Sequence, residues 1–180
     1  MLGKTVKSEG GACTVDMDLD YGARADGVTV LTEKRNVTIT EPDNRGGYEI
    51  TVRHRFTAAR DAVLGRTPPK GDPRKGRWSG GYAGPTLRLA ADVAASFSVS
   101  GSMGGKSPAE VTGTETGALV FRDPVSGESV TFSRLEAPPQ ARFYVWRDKR
   151  MVNDSPVYMG EISLKKGETL DLAYRLTVAR

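Results

Sequence analysis

One cysteine, Cys13, stands in 180 residues, which excludes an internal disulfide framework and a cysteine-based zinc site. One histidine, His54, excludes a histidine-rich metal centre, and neither metal nor cofactor is expected. No apolar run approaches the ~18 consecutive residues of a membrane-spanning helix; the longest are short stretches such as Ala118–Phe121. The N-terminus, MLGKTVKSEGGACTVDMDLD, lacks the apolar stretch of ~7–15 residues that marks a secretory signal. These absences lead to the expectation of a soluble protein, cytoplasmic unless already trimmed, with no membrane partner. An excess of one charge is missing too. Lys plus Arg number 26 against 22 Asp plus Glu, a net +4 spread too evenly to mark a nucleic-acid partner. A helix of convincing length is also absent. Leu87–Ala95 comes nearest, but Pro85 and the flank after Ala95 argue for strand and turn.

What is present is punctuation and alternation. Twenty-one glycines and ten prolines separate short runs rich in Val, Thr, Ile, Tyr and Phe, the pattern of an all-β antiparallel sandwich. In Tyr48–Thr57, Tyr48, Ile50, Val52, His54 and Phe56 point one way and Glu49, Thr51, Arg53, Arg55 and Thr57 the other, as in a half-buried strand. The C-terminal run alternates Leu170, Leu172, Tyr174, Leu176 and Val178 with polar residues and is expected to be the last, central strand. Further strands are expected at Thr14–Asp20, Val28–Thr40, Thr86–Leu89, Ala95–Ser100, Ala118–Arg122, Ser129–Leu135, Arg142–Trp146 and Val157–Ser163. Asp26-Gly27, Asn44–Gly47, Ser126-Gly127 and Lys166-Gly167 supply the turns. The length suits one domain over residues 1–180, with residues 1–24 the less certain part.

Two long loops, Arg66–Gly81 and Gly101–Gly113, break the pattern, and loops of that size are usually functional or disordered. The first carries Arg66, Lys70, Arg74, Lys75 and Arg77 and ends near Trp78 and Tyr82, which suggests either a polyanion contact or a solvated loop. Trp78, Tyr82, Tyr144 and Trp146 could stack on sugar rings or pack in the core. Gly104-Gly105-Lys106-Ser107 is half of a phosphate loop, but Ser100 stands where the first glycine belongs and Pro108 follows. The glycosylation patterns at Asn36 and Asn153 are read as chance.

The chemistry concentrates at three side chains. Alternation through Leu31–Ile39 puts Glu33 and Arg35 on the apolar face with Leu31, Val37 and Ile39, where two charges need partners. They form either a buried or edge ion pair, with Arg35 forking onto a carboxylate, or the wall of a polar ligand site. His54 is either a packed, hydrogen-bonded residue or a general base.

Several segments in order resemble a bacterial family of unknown function labelled PmoA-like. They are Gly27–Arg35, similar to a "G-x-x-x-L-x-E-x-R" strand, Tyr48–Ala58, Gly80–Arg88, similar to "GGYxGLSxR", Gly117–Pro124 and Gly167–Leu176. The likeness spans most of residues 25–180 and the later part of a typical member, whose length of about 300 residues suits one large sandwich. The family's earlier "HHxG" segment has no counterpart here. The resemblance implies a β-sandwich similar to part of a galactose-mutarotase-like supersandwich and an association with sugar catabolism. It implies no membrane copper chemistry, since spanning helices and a ligand cluster are both missing.

Three functions follow as expectations. The first is a carbohydrate-binding sandwich whose concave sheet face uses Glu33, Arg35, Trp78, Tyr82 and Arg88 to hold a saccharide. The second is a sugar-acting epimerase, lyase or hydrolase with Glu33 as base and His54 or Arg88 as its partner, which requires a raised Glu33 pKa and an open cleft. The third is a non-catalytic domain in which Glu33, Arg35 and Arg88 form an ion-pair network. A homo-oligomer, or a partner completing the sheets, is expected from the part of the family pattern that is missing.

Overall fold

A computed structural model describes residues 3–22, 27–65, 84–89, 98–102, 104–146 and 151–180. In these the alternating runs are strands of antiparallel sheets, so the fold is all-β, as the pattern predicts. The described residues divide into two compact units.

The first unit comprises Met1–Ala62, Gly127–Ala137 and Ser163–Arg180. Its strands are β1 (Gly3–Glu9), β2 (Ala12–Gly22), β3 (Thr29–Thr40), β4 (Tyr48–Ala58), β9 (Ser129–Glu136) and β13 (Thr169–Ala179), in the order β1-β2-β3-β4-β13-β9. The last strand is interior, as expected: β13 pairs with β4 from Thr169↔Thr57 to Val178↔Tyr48 and with β9 on its other side. A bulge at Ala173/Tyr174 lets Leu135 stand out of register, 42% exposed. Between β3 and β4 the expected turn forms at Asn44–Gly47. Asp43 accepts from the amides of Arg45 and Gly47, each at 2.8 Å, and Gly46 takes φ 82°, open to glycine without steric cost.

Register gives this sheet two chemically different faces. Val15, Met17, Leu31, Val37, Val52, Phe56, Leu172, Tyr174 and Phe132 share one face, with Leu172, Tyr174 and Phe132 at most 4% exposed. Burying a side chain of this size contributes about 1.5–3 kcal/mol. Asp16, Asp18, Lys34, Asn36, Arg53, Arg55 and Asp171 share the other face, which carries the charge.

The second unit comprises Val63–Ser126 and Pro138–Ile162. It holds a three-stranded sheet of β10 (Arg142–Trp146), β11 (Met151–Ser155) and β6 (Thr86–Arg88), and a pair made by β7 (Ser98–Gly101) and β8 (Ala118–Arg122). Phe143 and Val145 point inward at 0% and 7% exposure while Trp146 is 39% exposed. Two short strands, β5 (Ala62–Leu64) and β12 (Ile162–Leu164), lie where the chain passes between units.

Several expectations change. β1 was not expected, because six of its seven residues are exposed and leave no apolar face to read. β11 and β12 replace the strand expected at Val157–Ser163; the Asn153, Asp154 and Ser155 of β11 look like a turn yet are at most 1% exposed. Within the loop Gly101–Gly113, one helical turn, α1 (Pro108–Val111), is capped by Ser107 and anchored by fully buried Val111. A single turn gives Gly104–Ser107 no phosphate-loop helix to open. The loop Arg66–Gly81 lies outside the described residues.

Candidate functional site

Glu33 is the most buried charge of the first unit, with its side chain at 0% exposure. β3 and its neighbours bring four donors to it. Arg35, two residues along, forks onto it: Nε donates to Oε1 at 2.6 Å and Nη2 to Oε2 at 2.9 Å. From β4, His54 Nδ1 meets Oε1 at 2.7 Å, and from β2 the Tyr21 hydroxyl donates to Oε2. Arg35 Nη2 also donates to the Tyr21 hydroxyl at 3.2 Å. Two carboxylate oxygens offer about four lone-pair positions, and four donors occupy them.

Burial alone would raise the Glu33 pKa; hydrogen bonds from His54, Arg35 and Tyr21 and the Arg35 charge outweigh it and bring the group to about 2. Tyr21 moves the opposite way, to about 12, because burial and the adjacent Glu33 carboxylate both disfavour a phenolate. Arg35 is held more firmly protonated by its bonds to Glu33. With Glu33 ionised and able only to accept, His54 must donate from Nδ1. Its Nε2 is buried without a hydrogen-bond partner, and the ring stacks on Phe56 at 5.8 Å with 3° between planes.

This arrangement realises the ion pair foreseen from the sequence, with Arg35 forking onto Glu33 itself. Tyr21 and His54 complete the set where Arg88 was expected. Arg88 lies in the second unit, exposed at the end of β6 and opposite Met151 in register. Trp78 and Tyr82 lie outside the described residues. Proton abstraction by Glu33 requires a raised pKa; its setting lowers it, and its oxygens have no position left for a ligand hydroxyl.

The other face of the same strands carries an open hollow. It has a volume of about 470 Å³ and is bordered by Asp16, Asp18, Lys34, Asn36, Arg53, Arg55, Glu136 and Asp171, with Met17, Arg35, His54 and Leu172 contributing where the sheet forms its floor. Arg35 and His54 therefore border the hollow along the backbone while their side chains turn away to Glu33. This set escaped the sequence reading because charged residues on a strand's outer face are the ordinary pattern of solvation. The detectable signal was their coincidence on adjacent strands, which depends on register. Among the described residues no group of three or more His, Cys, Asp or Glu is placed to hold a metal ion, and no helix is long and apolar enough to cross a membrane.

A family model described as "Family of unknown function (DUF6807)" matches residues 3–180. The match agrees with a family of unknown function; it does not carry the PmoA-like label, and it starts well before residue 25. No curated protein matches the chain. Among solved structures, the chain is similar to a galactose mutarotase-like protein from Lactobacillus casei ATCC 334, at 11% identity and a TM-score of 0.42, over 98% of this chain and 73% of that one.

Proposed function

The chain belongs to a family of unknown function, DUF6807, and we propose that this protein binds a sugar or glycan fragment, without turnover, in the hollow on the charged face of the first unit's sheet. The observation that carries the proposal is the composition of the hollow: four carboxylates, three cations and one amide around about 470 Å³. That volume falls within the range of about 300–1,000 Å³ for ligand sites.

Each hydroxyl of a saccharide is both a donor and an acceptor. Asp16, Asp18, Glu136 and Asp171 can only accept when ionised, whereas Lys34, Arg53 and Arg55 can only donate, so a polyol finds complementary partners throughout. A purely apolar ligand would strip water from these charges without replacing its hydrogen bonds. The Glu33 cluster serves this site from behind. It ties β2, β3 and β4 together through side chains on the apolar face, and so keeps the outward charges in register. The bound carboxylate of Glu33 supports binding over acid/base chemistry.

Isothermal titration against neutral mono- and disaccharides tests the proposal. Saturable, saccharide-selective binding is expected, with Kd on the order of 1 mM for so open a site, weakened in Asp18→Ala. A flat response across the panel from folded protein overturns it.

A further inference from the structure

We infer that the ligand of this hollow is a monoanionic, uronate-type saccharide whose carboxylate is held by Arg53. The inference rests on the hollow being a saccharide site and concerns which saccharide it takes.

The charges of the hollow are arranged in order across the sheet. Asp16 and Asp18 stand on β2, Lys34 on β3, Arg53 and Arg55 on β4, Asp171 on β13 and Glu136 on β9. A strip of cations thus runs along the middle, with carboxylates on both sides. Half of the set already has partners. Arg55 donates to both oxygens of Asp171, at 2.7 and 3.3 Å, and feels the Glu136 charge as well. Asn36 donates to Asp16 at 2.8 Å, and its amide oxygen accepts from Thr38 at 3.3 Å. Lys34 faces Asp18 in register.

Arg53 is the guanidinium of the set that has no partner among the described residues. Its neighbours in register are Asn36 on β3, with both ends of its amide engaged, and Ala173 on β13, with nothing beyond a methyl group. It is exposed, and among the described residues it makes no ion pair and no side-chain hydrogen bond. An unpaired guanidinium is a planar fork matched to a carboxylate.

The flanking acids determine the remainder of the ligand. A carboxylate on Arg53 leaves the ring hydroxyls to donate toward Asp16 and Asp18 on one side and Asp171 and Glu136 on the other. The same acids disfavour a more highly charged group. Four carboxylates against three cations leave the hollow one charge negative, so one anionic group on the ligand is favoured over the near-dianion of a phosphate monoester.

Titration of the full chain with D-galacturonate, D-galactose and D-galactose 6-phosphate tests the assignment, alongside Arg53→Gln and Arg53→Lys variants whose folding is checked by thermal melting. The expected result is galacturonate bound about tenfold or more tighter than galactose, with 6-phosphate weaker than galacturonate. In Arg53→Gln the ratio of galacturonate to galactose affinity falls toward one, and Arg53→Lys, which keeps the charge without the fork, recovers only part of it. Galactose bound as tightly as galacturonate overturns the anionic assignment while leaving the saccharide site standing. Tighter 6-phosphate binding overturns the choice of carboxylate, and a preference that survives in Arg53→Gln overturns the role of Arg53. No response to any of the three sugars overturns the assignment together with the site.

Discussion

His54 and Glu33 meet across two strands through a single bond, Nδ1 to Oε1 at 2.7 Å, and that bond sets the imidazole's tautomer. An ionised Glu33 cannot donate, so the proton sits on Nδ1 and neutral His54 keeps its lone pair on Nε2. Because the chain has one histidine, nitrogen-correlated NMR of its ring reads this without ambiguity. A proton on Nδ1 is expected; a ring carrying its proton on Nε2 alone would contradict the placement.

Glu33 should make stability sensitive to acid. Folding lowers its carboxyl from 4.5 to about 2, so its contribution is fully present above 4.5 and is lost as the pH falls from 4.5 toward 2. The size of that contribution is about 3 kcal/mol. Glu33→Gln removes Glu33's share of the slope and, at neutral pH, costs about 3 kcal/mol or more, because the amide keeps one acceptor oxygen but turns an NH2 donor toward the surrounding donors and leaves Arg35 without its counter-charge. Urea melts across this pH range check both effects. Parallel curves for wild type and variant would count against them.

Tyr21→Phe takes one of four donors from Glu33. Tyr21 is 39% exposed, so the loss is modest, about 1 kcal/mol. The clearer readout is ultraviolet titration of phenolate. Tyr21 should ionise near 12, and that step should vanish in the variant.

Gly84→Ala is expected to be among the most damaging single-methyl changes in the second unit. Gly84 holds φ 134°, and a Cβ there would lie 1.8 Å from the carbonyl oxygen of Asp154 and 2.9 Å from Pro156. The same turn receives Asn153, whose Nδ2 lies 3.2 Å from the Gly84 carbonyl and 3.1 Å from that of Pro85. A loss of several kcal/mol, or of soluble protein altogether, is expected in expression and melting assays. A variant that melts like wild type would contradict the close approach.

Residues whose periodicity reports burial were legible in the sequence. Tyr48–Ala58 and Thr169–Ala179 alternate because one face is covered, and the same alternation placed Glu33 and Arg35 together on that face. β1 was illegible because an exposed strand carries no such contrast, and β11 because its buried side chains are polar, with the Asn153 amide nitrogen held by a neighbour distant in sequence, Thr86. The partners of Glu33 were only half legible. Arg35 is two residues away, but Tyr21 and His54 reach it through register, which alternation along one strand does not specify. The hollow on the other face was missed for the same reason. Arg53, Lys34 and Asp171 are 19 or more residues apart and become neighbours only once β3, β4 and β13 are paired.

Amide-resolved NMR of the full chain during titration with galactose and galacturonate tests the saccharide site most directly. If the hollow is the site, the amides that move first and saturably are those of Asp16–Asp18, Lys34–Asn36, Arg53–Arg55 and Asp171–Leu172, with galacturonate acting at the lower concentration. Saturable shifts confined to the second unit, or none at any concentration, would contradict a ligand in this hollow.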